Sequence, residues 1–171
     1  DADLMDDTLD AGERLLPAGK ANVPGKAYSD ILHNGSDAII AYDKFDKLQV
    51  LNHSGKAEWT GGDSFGGNLQ HLLMPTPGRG DSGLNAFYLP TRLKTADLDG
   101  DGQIEVILLK NHEVAGRRLQ TFRSFNKGQL EAHIWNNLGM VSLWQTRTIS
   151  GRLQDFAVGD FDGDGRQELV A

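Results

Sequence analysis

Two nine-residue segments repeat one acidic pattern and constrain the fold more than any other feature of the sequence. The first runs from Asp97 to Glu105 and the second from Asp160 to Glu168. In each, acidic residues occupy positions 1, 3, 5 and 9, and apolar residues typical of strands follow immediately. Carboxylates on alternate residues of a tight turn can converge on one hard cation. The sequence therefore predicts two metal-binding turns, each leading into a β-strand.

Calcium is the cation that fits this donor set best. It takes roughly six to eight oxygen ligands, whereas magnesium prefers strict octahedral geometry, and zinc prefers Cys or His, which both loops lack. Glycine at position 6, Gly102 or Gly165, permits a sharp turn, after which the carbonyl at position 7 can point inward. The alternative is a solvated Asp/Gly turn without a metal. The predicted Ca²⁺ ligands of the two sites are Asp97, Asp99, Asp101, Gln103, Glu105, Asp160, Asp162, Asp164, Arg166 and Glu168.

The residues around each loop distinguish between classes of calcium site. An EF-hand requires a bidentate Glu at position 12 and flanking helices. Position 12 is Leu108 in the first loop and Ala171 in the second. The segments before the loops, residues 93–96 and 156–159, are also typical of strands. Each loop is therefore predicted to be the turn of a β-hairpin.

The spacing of the loops predicts a repeat. They begin 160 − 97 = 63 residues apart, about the length of one four-stranded propeller blade. Aligning residues 37–41 with 105–109 reveals a degenerate upstream copy. This alignment places Ser29, Ile31 and His33 where the first three aspartates stand, so this copy is predicted to keep its strand and lack the metal.

A second correspondence supports the same period. Residues 51–55, followed by Trp59, resemble residues 135–139, followed by Trp144. Each segment is predicted to be a strand, a turn and a strand, with the tryptophans packed between blades. Longer excursions are expected at residues 60–89 and 111–130.

These residues resemble the FG-GAP or VCBS-type repeat of integrin alpha-subunit propellers and of bacterial secreted and surface proteins. The matching segments are 96–102 with Glu105, and 158–165 with Glu168. The resemblance covers roughly residues 29–171 and implies a seven- or eight-bladed β-propeller, with calcium between the first two strands of a blade. The expected fold is all-β, a propeller fragment of about two to three four-stranded blades.

The predicted division of the chain follows from the repeat. Residues 1–28 are expected to be an acidic linker or the tail of a preceding domain, and residues 29–95 a degenerate blade with a long Gly/Pro-rich insertion. Residues 96–158 are expected to form a calcium-binding blade, and residues 159–171 the start of the next. Because so few blades cannot close a ring, the remaining blades are expected in the same or another chain.

Composition argues against several functions. The formal net charge of −7 disfavours nucleic acid as a partner, since phosphate binding needs a basic face. The absence of cysteine rules out disulfides and thiol chemistry, and no run of 18 apolar residues is available to span a membrane. The five histidines are not paired in a catalytic or metal-binding motif and are expected at the surface or in turns, and neither a nucleophile elbow nor a phosphate loop is present.

The function predicted from these features is that of a non-enzymatic, calcium-binding scaffold for a protein or glycan ligand. An extracytoplasmic location, whether secreted, cell-surface or periplasmic, is expected because such sites fill where calcium is near millimolar. Two alternatives stay open: the propeller part of a secreted polysaccharide lyase or hydrolase, and a subunit of a surface filament or electron-transfer assembly.

Overall fold

The computed structural model describes residues 26–29, 38–75, 83–114 and 123–171. Across these ranges the secondary structure is all β, as predicted, and no described helix is long and apolar enough to cross a bilayer. The predicted linker, residues 1–28, lies outside the described residues except for its last three, which belong to the first strand. The strands are β1 (Lys26–Ser29), β2 (Ala38–Tyr42), β3 (Lys47–Leu51), β4 (Ala57–Ser64), β5 (His71–Pro75), β6 (Leu84–Tyr88), β7 (Leu93–Ala96), β8 (Glu105–Glu113), β9 (Phe125–Trp135), β10 (Met140–Gln145), β11 (Ile149–Ser150), β12 (Ala157–Gly159) and β13 (Glu168–Val170).

Two sheets contain four consecutive strands each. The first has the order β1-β2-β3-β4, and the second the order β7-β8-β9-β10, with β11 also paired to β9. All these pairings are antiparallel. The hairpins β5–β6 and β12–β13 form separate two-stranded sheets. Four-stranded antiparallel meanders are the building unit of a propeller, but the described sheets do not close a ring, so the propeller stays a prediction.

One hydrophobic core joins the two four-stranded sheets. It contains buried side chains from both, with Trp59 and Trp135 packed at its edge. The two indoles meet edge to face, with ring centroids 6.2 Å apart, and this contact confirms the predicted packing of Trp59 between sheets. Its buried members are Ala38, Ile40, Leu48, Val50, Phe65, Leu93, Val106, Leu108 and Met140.

A second core lies on the opposite face of the second sheet, against β12–β13. Because successive strand residues point to opposite faces, Val106 and Leu108 of β8 enter the first core while Ile107 and Leu109 enter the second. Covering both faces of β8 explains its uninterrupted apolar run. Trp144 packs against this second core, as Val158 and Leu169 of β12–β13 do, so its predicted packing is also confirmed.

The first predicted excursion, residues 60–89, contains strands in its described part, which leaves out residues 76–82. β4 continues to Ser64 and the hairpin β5–β6 follows within the excursion. Between them, the Gly66 N–H donates to the Leu109 carbonyl at 2.6 Å, and the Asn111 N–H donates to the Gly66 carbonyl at 3.1 Å. Gly66 has a φ of 77°, which a side chain rarely adopts. Only the predicted start of the excursion is wrong, because β4 continues through its two glycines to Ser64.

The second predicted excursion, residues 111–130, is too long. β8 continues to Glu113 and β9 already begins at Phe125. The ladder pairs Asn111 with Gly128 and His112 with Lys127, so nine of the twelve described residues in this range belong to strands. These residues are polar, and the prediction was wrong because it equated the end of the apolar run with the end of the strand.

In the degenerate upstream hairpin, the strand register shifts the sequence alignment with the first calcium loop by one residue. The pair that closes the turn is Ser29–Ala38 in β1–β2 and Ala96–Glu105 in β7–β8, and eight residues separate the partners in both hairpins. Ala38, and not Asp37, therefore corresponds to Glu105. The first three aspartate positions then fall on residues 30, 32 and 34, not 29, 31 and 33; residues 30–37 lie outside the described structure. With Ala38 at position 9, this copy still lacks the carboxylate that closes the other two sites.

Candidate metal centres

The turn between β7 and β8 is organised by the first aspartate of its pattern. The Asp97 carboxylate accepts hydrogen bonds from the Gly100 N–H at 2.7 Å and from the Gly102 N–H at 3.0 Å. Both glycines are left-handed, with φ values of 77° and 87°. Glycine is therefore required at position 4 as well as at the predicted position 6, because both amides must turn inward toward one side chain.

The next two aspartates tighten the same turn. Asp99 accepts a hydrogen bond from the Asp101 N–H at 3.1 Å, and Asp101 accepts one from the Gln103 N–H at 2.7 Å. These are local side-chain to backbone bonds of the Asx type. They leave one carboxylate oxygen from each of Asp97, Asp99, Asp101 and Glu105 within 4.8 Å of the others.

Glu105 closes the site from the first residue of β8. Its exposed fraction is 1%, and its Oε2 accepts a hydrogen bond from the Leu98 N–H at 2.7 Å. Its other oxygen, Oε1, is buried and has no hydrogen-bond partner among the described residues. Burial, followed by repulsion from the three aspartates, raises the pKa of Glu105, and the Leu98 hydrogen bond opposes this rise only in part. A cation would satisfy the orphaned oxygen and offset the repulsion, so the residues present fit a bound Ca²⁺.

The turn between β12 and β13 repeats this arrangement bond for bond. Glu168 accepts from the Phe161 N–H at 2.7 Å, and Asp160 accepts from the Gly163 and Gly165 N–H groups at 2.7 and 2.9 Å. Asp162 and Asp164 accept from the amides of Asp164 and Arg166 at 3.0 and 2.8 Å. One carboxylate oxygen from each of the four acidic residues again lies within 4.8 Å of the others.

The two sites differ in burial. Glu105 is buried, whereas Glu168 is only half-buried, and the other acidic residues of the second loop are exposed. The first loop is attached to the nine-residue strand β8, which is covered on both faces, and the second to a two-stranded sheet. The second site therefore has a smaller desolvation penalty to offset.

The structure thus assembles all eight predicted carboxylates into two groups of four. The carbonyl groups of Gln103 and Arg166 stay predicted ligands. The only bonds described for these two residues within the loops are donated by their amides, to Asp101 and Asp164.

A buried polar cluster escaped the sequence analysis. The carboxylate of Glu131 on β9 lies 2.9 Å from His133 Nε2 and 3.1 Å from Lys110 Nζ, and it accepts a hydrogen bond from the Gln129 amide at 2.9 Å. Glu131 and His133 are buried, with exposed fractions of 3% and 7%. The expectation that the histidines lie at the surface or in turns is therefore wrong for His133, whose ring packs on Phe65.

The other histidines are distributed differently. His53 is exposed in a turn, as expected, and His71 is exposed on β5. His112 is half-buried on β8, where its ring lies 3.2 Å from the Gln129 side-chain oxygen. His33 lies outside the described residues. The signal for the buried cluster is the alternation of polar Gln129, Glu131 and His133 with apolar Leu130 and Ala132.

Acid is expected to weaken the fold through Glu131. Burial alone would raise its pKa, but hydrogen bonds from His133, Gln129 and Lys110 together lower the pKa to about 2. Because its pKa is lower in the folded state, the ionised Glu131 carboxylate stabilises the fold at pH values above its unfolded-state pKa of about 4.5. This stabilisation is lost as the pH falls from about 4.5 to about 2. Urea midpoints measured across this range should fall more steeply for the wild type than for Glu131→Gln. Parallel pH profiles for the two proteins would contradict this assignment.

Comparisons with known proteins agree with the geometry of the loops. Residues 97–171 match a family model described as an FG-GAP-like repeat. The chain is also similar to cartilage acidic protein 1 of Xenopus tropicalis, with 28% identity over 142 residues. The aligned region is 80% of this chain but 21% of that protein, so the chain spans about a fifth of the relative's length. No solved structure matches. The resemblance noted in the sequence is thus confirmed for residues 97–171, which carry an FG-GAP-like repeat.

Proposed function

We propose that this chain is part of a calcium-stabilised β-propeller that acts outside the cytoplasm as a non-enzymatic scaffold for a protein or glycan ligand. The observation that carries the calcium assignment is the buried Glu105 carboxylate, which has an unpartnered Oε1 and one oxygen within 4.8 Å of oxygens from three aspartates. A protein seldom leaves a buried carboxylate oxygen without a partner, because the desolvation cost is then not offset. Calcium coordination offsets it.

The identical hydrogen bonds of the two loops support a structural role for the ion. In both, the aspartates bond to backbone amides within the turn, which fixes the loop before a cation arrives. EF-hand sensors open by moving two helices when the Glu at position 12 binds calcium. Here position 12 carries no acid and no helix flanks either loop, so neither site has the parts needed for this opening. The ion therefore fastens a hairpin and does not switch it.

Other observations support the remaining parts of the proposal, which are the propeller fold, the location outside the cytoplasm and the class of partner. The FG-GAP-like match implies propeller blades, and the two four-stranded meanders have the strand order that a blade requires. Sites of this kind fill at the millimolar calcium found outside the cytosol. Exposed hairpins and turns between the sheets supply contact surface, and propellers commonly use such loops for binding.

Calcium titration by calorimetry tests the proposal. We expect two bound ions per chain in the wild type and one in each of Asp99→Ala and Asp162→Ala, because each variant removes a carboxylate from one loop only. Glu58→Ala, an exposed acidic residue on β4 outside both loops, is the matched control and should retain two. Heats equal to those of buffer dilution in the wild type would overturn the calcium assignment.

A further inference from the structure

We propose that the cavity between the two four-stranded sheets and the hairpin β5–β6 is a binding site for a neutral saccharide. The inference deepens the proposed scaffold function, on which it rests, by naming one ligand class and its site. The cavity has a volume of about 650 Å³, within the range of roughly 300–1,000 Å³ typical of small-molecule sites.

Four separate parts of the chain build the cavity, one of them Ser64, Phe65 and Gly67 at and just after the end of β4. The turn between β2 and β3 contributes Phe45 and Asp46, and the hairpin contributes Phe87 and Tyr88 of β6. The facing ends of β8 and β9 contribute further residues, Lys110 among them. Ligand sites form preferentially at junctions of this kind, where separate elements leave a concave surface. Neither calcium loop contributes to its lining.

Aromatic rings give the cavity its apolar surface. Phe45 and Phe87 are 48% and 50% exposed, which is unusual for phenylalanine, while Tyr88 and Phe125 are half-buried. The C–H face of a sugar ring is apolar and removes such aromatic surface from water when it stacks on it. Phe87 lies on a two-stranded hairpin whose other large apolar side chains are also exposed. Because Phe87 lines the cavity, a ligand bound there can cover its ring.

Ion pairs hold three of the charged groups of the cavity, Arg123, Asp46 and Lys110. Arg123 Nη1 lies 2.9 Å from Asp46 Oδ2, and its guanidinium sits 4.0 Å from the centroid of the Tyr88 ring. Lys110 Nζ lies 3.1 Å from Glu131 Oε1, at the edge of the buried polar cluster, and 5.0 Å from the centroid of Phe65. Groups held in this way are pre-organised to bond hydroxyls, since little side-chain freedom remains to be lost.

The balance of charge selects a neutral ligand. The lining carries three cations, Lys44, Lys110 and Arg123, and three carboxylates, Asp43, Asp46 and Glu113. The formal sum is zero, and the whole chain is at −7, so there is no excess positive charge for a nucleotide or an acidic sugar. A ligand with many hydroxyls and one apolar face suits a lining that combines balanced charges with the exposed ring of Phe87.

The test uses the full chain at saturating calcium. Calorimetric titrations with maltotriose, cellotriose, laminaritriose, mannotriose and N-acetylchitotriose are compared with titrations of trigalacturonate and trialanine. We expect at least one of the five neutral sugars to bind, and trigalacturonate and trialanine to give no heat. Phe87→Ala should weaken that binding about tenfold, because a stacking surface is lost.

Two further variants separate contact from folding. Leu84→Ala is the matched control, since Leu84 lies on the same strand with 59% exposure but does not line the cavity; its affinity should stay within about twofold of wild type. Arg123→Lys keeps the charge and loses the planar fork, so it should weaken binding as Phe87→Ala does. Melting temperatures verify that each variant folds.

The proposal fails if none of the neutral sugars binds, if Phe87→Ala and Leu84→Ala bind equally, or if trigalacturonate or trialanine binds instead. These outcomes are distinct from failure of the calcium scaffold. The same samples are titrated with calcium, and two bound ions without sugar binding would remove the saccharide site alone.

Discussion

Saturating calcium is expected to raise the melting temperature of this protein by about 10–20 °C. An ion that binds only the folded state stabilises it by about 2.7 kcal/mol per site at a concentration of 100 Kd. Two sites therefore contribute about 5 kcal/mol, and each kcal/mol shifts the melting temperature by roughly 2–4 °C in a chain of this length. The physical source is the relief of repulsion among four carboxylates held within 4.8 Å in each loop.

Calorimetric melting in calcium and in EGTA measures this shift. Magnesium at equal ionic strength is the control, because it screens the carboxylates equally but fits the oxygen sites poorly. The double variant Asp99→Ala, Asp162→Ala should melt at the same temperature in both solutions. If magnesium raised the melting temperature as much as calcium does, the loops would be acidic turns that respond only to ionic strength, and the calcium assignment would be contradicted.

The calcium hairpins were predictable because their determinants are local in sequence. Each hydrogen bond within the first loop joins residues no more than seven positions apart, from Asp97 to Glu105. The loop geometry is therefore encoded in one short segment, which the sequence displays twice. The strand that follows was equally visible, because β8 is covered on both faces and must be apolar along most of its length.

What the sequence did not reveal depends on contacts between distant segments. Glu131 is stabilised by Lys110, which is 21 positions away and reaches it only because β8 and β9 pair. The extra pairs beyond Lys110 are formed by polar residues, which a search for apolar strands leaves in a loop. The cavity takes its walls from segments as far apart as Phe45 and Phe125, and no local pattern in the sequence joins them.

The degenerate hairpin shows how one ladder pair corrects an alignment. Matching apolar residues placed Asp37 at position 9, whereas the register of β1–β2 places Ala38 there. Apolar runs tolerate a shift of one residue in an alignment, but a pleated ladder does not, because the shift would turn every side chain to the other face. The pairing of strands therefore defines the repeat more sharply than its composition does.

Replacing Glu105 with Gln is expected to have opposite effects with and without calcium. In EGTA, the variant should be more stable than wild type by about 1 kcal/mol, because it removes a buried, unpartnered charge next to three aspartates. The amide oxygen can still accept the Leu98 N–H, and the amide carries no charge for the three aspartates to repel. In calcium, the first site loses a charged ligand, and its affinity should fall on the order of 100-fold.

Glu168→Gln is the matched control for this inversion, because it makes the same change at the same loop position. Glu168 is half-buried, and its Oε2 accepts the equivalent bond from Phe161, so its calcium-free stability should change by less than about 0.5 kcal/mol. In both variants, the affinity of one of the two calcium sites should fall. Urea unfolding in EGTA and in calcium separates the two contributions for each protein. If Glu105→Gln were no more stable than wild type in EGTA, the buried oxygen would carry no penalty, and the argument that calcium relieves one at this site would fail.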